Sequence, residues 1–358
     1  ATQGKRELPA SRQRGAGLAG KEMRRVECLD GLRGLAALWV LIGHCLILTG
    51  FSLPILGEPD LGVDLFIMLS GFLMVFQYDL RKDREDWGKS PAWTAFWIRR
   101  FFRLSPLYFF LLVIALVAGE AIYADRVVID TFLGNPLQLA SRYEDASLFN
   151  HAMHFTYVFG LVPDYAFRTP LPDWSLGLEM QFYAIFPFVV LLARRWGWLV
   201  TAMGVGLAFA LVTALATSLG IIYPMPSFLP LKMHIFLAGM LLAAAIGQRK
   251  AAYLLLALAL AALPVGEAVD WKNLVMREFM VFGFFALVHW RQLAIVDRLS
   301  QALGARPFHW LGELSYGAYL IHLLVAHRVA AWTMETWGTA MAAPVRFLLV
   351  LGIVAPVV

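Results

Sequence analysis

Long apolar runs, each of about 20 residues, recur along the chain and are separated by short polar stretches; each is long enough to cross a bilayer. They lie near residues 29–50, 61–78, 104–122, 174–193, 198–219, 231–247, 251–265, 274–290, 313–333 and 343–358. The seventh is the shortest. The pattern predicts an all-α polytopic membrane protein, a bundle of about ten transmembrane helices. No internal repeat or low-complexity tract accompanies the runs, so a pseudo-symmetric transporter has no support in the pattern.

Composition sharpens this picture. Of 358 residues, 60% are hydrophobic, 14% aromatic and 15% charged, whereas soluble domains carry roughly 25% charged residues. One intramembrane domain, residues 26–358, follows a polar, basic, Gly/Ala-rich stretch, residues 1–25, that reads as a disordered cytoplasmic tail. That stretch lacks the apolar core of a cleavable signal. Lys and Arg crowd the segments up to Arg33 and from Arg81 to Arg103, while residues 123–173 are acidic. The positive-inside rule then puts both termini in the cytoplasm and 123–173 outside. The net charge of +5 reflects topology and contact with anionic lipids, not nucleic acid. Cys28 and Cys45 share one helix about 25 Å apart, so they cannot pair, and no Cys/His cluster has metal spacing.

The first run, "LDGLRGLAALWVLIGHCLIL", carries Asp30, Arg33 and His44. An ionisable group inside a membrane helix is costly and points to function. Arg33 and His44 are eleven positions apart, almost three whole turns, so both lie on one face about 16 Å apart along the axis. Counting depth in the other runs places Glu179 and Asp64 near His44 at the outer end. Arg33, Arg99, Arg100 and Arg103 gather at the inner end as an anion site. Arginines beside a span also act as anchors, but three within one turn exceed what anchoring needs. In "DWSLGLEMQFY", Ser175, Glu179 and Phe182 share a face; in "GELSYGAYLIHLL", Ser315, Tyr319 and His322 form one stripe. His234, Arg277 and Glu278 read as structural, and His151 and His154 as surface residues of the outer loop.

Five patterns in order carry a resemblance: "LDGLRGLAALWVLIGH", "GVDLFIMLSGFLM", "RRFFRLSPLY", "DWSLGLEMQFYAIFP" and "LGELSYGAYLIH". Together, over residues 26–358, the chain resembles acyltransferase family 3, membrane proteins that transfer acyl groups to sugars and other acceptors. The resemblance implies functional roles for Arg33 and His44, for Arg99, Arg100 and Arg103, and for Glu179. It also implies a tail beyond the tenth span, whereas this chain stops inside "LLVLGIVAPVV", which reads as a truncated end.

Residues and resemblance converge on an O-acyltransferase that binds no cofactor and uses acyl-CoA, acetyl-CoA foremost, as co-substrate. The arginines bind the donor phosphates, with Asp30 in support. His44 acts as general base on an acceptor hydroxyl, and Glu179, or else Asp64, orients its imidazole. Ser175, Ser315, Tyr319 and His322 support the site. The acceptor is a carbohydrate or small molecule reached from outside or from the bilayer. The competing reading is a transporter or proton/acyl channel in which His44 and Glu179 form a relay.

Overall fold

The computed structural model describes residues 10–246, 248, 250–265 and 270–358, with side chains from Cys28 onward, and holds no strand among them. The first nine residues of the expected basic tail lie outside the described residues. The helices are α1 (Ala10–Thr49), α2 (Pro59–Arg81), α3 (Ser90–Val117), α4 (Gly119–Leu133), α5 (Ser141–Glu144), α6 (Leu148–Phe155), α7 (Trp174–Ser218), α8 (Leu229–Ala244), α9 (Lys250–Ala261), α10 (Trp271–His289), α11 (Ala294–Leu303), α12 (Arg306–Trp337) and α13 (Ala343–Val357).

Every expected apolar run is helical, but the boundaries differ instructively. Among the described residues four helices are long and apolar enough to cross a membrane: Cys28–Thr49, Pro59–Arg81, Ser90–Val117 and Trp174–Ser218. The pair α10 and α11, bent by 97°, makes a fifth if taken as one span. Helices α8, α9 and α13 are apolar but shorter. Helix α12 is long and carries Arg306, Glu313, Arg328 and Glu335. The two runs expected on either side of residue 197 are two helical segments of α7 that meet at a kink at Gly197, where φ is 80°; glycine tolerates that backbone without a Cβ clash. The third run starts earlier than expected. Helix α3 begins at Ser90 and takes Pro106 into its interior, so the three arginines belong to the helix itself. Leu207, Leu211 and Leu215, one turn apart on α7, are 64%, 62% and 59% exposed. Such an apolar stripe suits lipid, not water.

Two close helix crossings organise the interior. Helices α1 and α12 run parallel and touch backbone to backbone. A Cβ on Gly34 would collide with the backbone of Leu311 and Gly312, and one on Gly312 with the Asp30 carbonyl. Helices α2 and α8 meet in the same way, Gly71 against the Phe236 carbonyl and Gly239 against that of Met68. Small residues at crossing points let membrane helices approach closely when no hydrophobic effect drives them together. The glycines of "LDGLRG" and "LGELS" therefore bring Arg33 within reach of α12.

Candidate active site

Arg33 is anchored across the α1–α12 crossing. Its Nη2 donates to the Gly312 carbonyl at 2.6 Å and to Ser315 Oγ at 3.2 Å, and its Nε lies 3.3 Å from the same hydroxyl. Nη1 donates to Asp30 at 3.2 Å. The Ser315 hydroxyl in turn donates to the Gly312 carbonyl at 2.7 Å. Fixed by three neighbours, the guanidinium keeps 18% of its side chain exposed, toward the cavity described below.

Three turns further along α1, His44 meets His322 of α12. The rings are 4.9 Å apart at their centroids, with His322 Nε2 3.0 Å from His44 Nδ1. The hydrogen-bond network assigns the tautomers. His322 Nδ1 faces the Tyr319 carbonyl at 2.7 Å and must carry the proton to donate there, which leaves Nε2 as an acceptor. His44 Nδ1 is flanked by that acceptor and by the Val40 carbonyl at 3.0 Å, so it too carries a proton. The lone pair of neutral His44 therefore sits on Nε2, which makes no hydrogen bond among the described residues. This is the state a general base requires.

A cavity of about 270 Å³ opens beside Arg33. Arg103, Ser315, Ser70, Glu179, Ser175 and Tyr319 are among the residues that line it; the two histidines do not line it, and His322 lies behind Tyr319, 6.1 Å between ring centroids. Ser175 and Tyr319 are joined at 2.8 Å, and Tyr319 also donates to the Pro172 carbonyl at 2.8 Å. The Ser175–Tyr319 pairing joins one residue of the α7 face to one of the α12 stripe.

The structure separates residues that sequence depth had grouped. Glu179 accepts from Ser70 at 2.6 Å and from the Tyr183 hydroxyl and does not contact His44; the neighbour of the imidazole is His322. Among the described residues His44 and Glu179 share no direct hydrogen bond. Equal depth along two helices did not put them on facing sides. Asp64 likewise turns away from His44, into a buried ion cluster, Oδ1 3.0 Å from Lys232 Nζ and Oδ2 2.6 Å from Arg277 Nε. The arginines of α3 divide. Arg103 faces the cavity. Arg100 is buried against the rings of Phe96 and Tyr183 and bonded to Gln77. Arg99 is exposed and pairs with Glu85 at 3.1 Å.

His154 is not a surface residue. It is buried and stacked on Phe159 at 4.4 Å, 3.8 Å from Asp173, whose carboxyl, just before α7, is pushed upward by burial. Three residues near the site escaped the sequence reading. Ser70 stands inside the quoted "GVDLFIMLSGFLM" run, and Tyr183 four positions after Glu179; helical spacing from Glu179 was the available signal for the second. Arg142, in the segment after α4, gave no signal beyond being a basic residue in an acidic stretch.

The acyltransferase domain model matches residues 26–358. The chain is 28% identical over 172 residues to the peptidoglycan O-acetyltransferase OatA of Listeria monocytogenes, covering 48% of this chain and 25% of that one. It is 30% identical over 173 residues, with 48% and 25% covered, to a Staphylococcus aureus protein provisionally named an O-acetyltransferase. A Bacillus subtilis protein provisionally named a peptidoglycan O-acetyltransferase, YrhL, is 29% identical over 171 residues, with 46% and 23% covered. The matches thus span about a quarter of the length of these relatives. No solved structure matches the chain.

Proposed function

The chain belongs to the acyltransferase family whose domain its residues 26–358 match, and from that premise we propose that it moves an acetyl group from acetyl-CoA to a hydroxyl of a carbohydrate at a membrane. The observation that carries the reading is the pairing of two parallel stripes. Arg33 and His44 on α1 meet Ser315 and His322 on α12, with the cavity beside Arg33 and Ser315. A cationic end and a basic end are thereby held about 16 Å apart. That distance suits the pantetheine arm of a donor whose phosphates lie by Arg33 and Arg103.

Chemically, the acceptor O–H gives its proton to His44 Nε2 while its oxygen attacks the thioester carbon. The C–S bond breaks, and the departing CoA sulfur takes the proton from the imidazolium, so no net charge or proton is left behind. Ser175 and Tyr319 hold each other in place at the cavity wall, because the Tyr319 proton goes to the Pro172 carbonyl and the Ser175 proton to Tyr319. Glu179, beside Arg33 and Arg103, shapes the charge of the donor channel instead of orienting the base. In this reading the bundle crosses a bacterial inner membrane about ten times with both termini cytoplasmic. The Arg33 end faces the cytoplasm, where acetyl-CoA is made, and the His44 end faces outward.

Proteoliposomes containing the chain, supplied with labelled acetyl-CoA and a glycan acceptor, test this. Wild type should place label on the glycan and His44→Ala should lose at least 100-fold of that rate. Flux of protons or acetyl groups with no consumption of acetyl-CoA would establish the transport reading instead.

A further inference from the structure

Arg142 lies on α5, in the segment between α4 and α7, and Tyr143 beside it reaches α12 five positions beyond His322. Arg142 is the side chain at this end of the bundle that the acyl-transfer steps leave unused. Its guanidinium carbon is stacked 3.5 Å over the ring of Phe167 and 5.1 Å from that of Tyr143. Tyr143 meets His327 edge-on, 6.2 Å between ring centroids. Arg142 Nε is buried with no hydrogen-bond partner. The carboxylates around it are engaged elsewhere. Asp145 pairs with Arg168 at 2.7 Å, Asp130 with Arg126 at 2.8 Å, Asp125 with Arg328, and Asp173 accepts from Tyr108 and Thr169. Among the described residues no carboxylate forms an ion pair with Arg142, although Asp173 and Asp130 favour its charge from a distance, and burial pushes its guanidinium down to about 10.

A partly buried cation that forms no ion pair is costly, and stacking on an aromatic face offsets only about 0.5–2 kcal/mol of that. Stacking also leaves the edge of the guanidinium unused, and that edge is the part that binds a carboxylate in two parallel hydrogen bonds. The donor phosphates have their own arginines at the other end of the α1 stripe, so an anion here belongs to the other substrate. We propose that Arg142 is an acceptor subsite for a carboxylate carried by the glycan, setting the sugar so that one hydroxyl faces His44 Nε2. This rests on the transferase reading above.

The test compares two acceptors on the full chain in nanodiscs: a muramic-acid-containing glycan oligomer and the same oligomer with its carboxyl groups reduced to alcohols. Wild type should show a KM at least tenfold lower for the carboxylate form. Arg142→Gln should erase that difference by raising only the carboxylate KM, with kcat and the KM for acetyl-CoA little changed; thermal unfolding in the same nanodiscs confirms that the variant is folded. Equal wild-type KM values for the two acceptors would overturn the subsite alone and need no variant. Equal losses on both acceptors in a folded Arg142→Gln would overturn it too. Wild type that acetylates neither acceptor would overturn the transferase reading, and the subsite with it.

Discussion

His322 Nε2 lies 3.0 Å from His44 Nδ1, across 278 positions of sequence, and accepts that proton. His322 is thereby a positioning residue, because the lone pair it turns toward His44 fixes which nitrogen of His44 is free. His322→Leu should lower kcat by about 100-fold with the KM for acetyl-CoA nearly unchanged. His322→Gln, whose side-chain oxygen can accept the same proton, should recover a large part of that loss. A purely packing role would instead make Leu the better substitute. Steady-state kinetics of both variants, with melting curves, decide between the two.

This pairing marks where the sequence stopped being legible. Helical spacing alone put Arg33 and His44 on one face and Ser315, Tyr319 and His322 on another. Which faces meet depends on tertiary contacts, set by close glycine contacts such as Gly34 with Leu311 and Gly312 with Asp30. Depth counting fails for the same reason. It gives a residue's height along a helix and not its azimuth, so Glu179 and Asp64 were placed level with His44 when they face other partners. Asp64 could not be assigned to Lys232 and Arg277 from a single chain, since those contacts span 168 and 213 positions.

The three arginines of α3 should behave unequally, although they sit within about one turn. Arg103 lines the cavity, whereas Arg99 is 38% exposed and pairs with Glu85. Arg103→Ala should raise the KM for acetyl-CoA about 10- to 100-fold, the range expected for losing hydrogen bonds to a charged group. Arg99→Ala should change it less than threefold, since exposed ion pairs contribute about 0–1 kcal/mol. Titration of CoA binding to each variant reads this directly, and equal losses would return all three to a single phosphate site.

Asp64 offers a contrast between structure and catalysis. Its carboxylate is 1% exposed and lies between two cations, Lys232 at 3.0 Å and Arg277 at 2.6 Å. Taking the anion out of such a buried cluster costs about 3–5 kcal/mol, because charges desolvated together lose their compensation. Asp64→Asn should therefore lower Tm and the yield of folded protein sharply, while the folded fraction keeps a near-normal kcat per active molecule. Active-site titration with a reactive donor analogue separates the two quantities. If Asp64 oriented the His44 imidazole instead, Asp64→Asn would hold its Tm and lose kcat about 100-fold. The distance of Asp64 from that task, with both of its oxygens taken by cations, makes the stability loss the expected result.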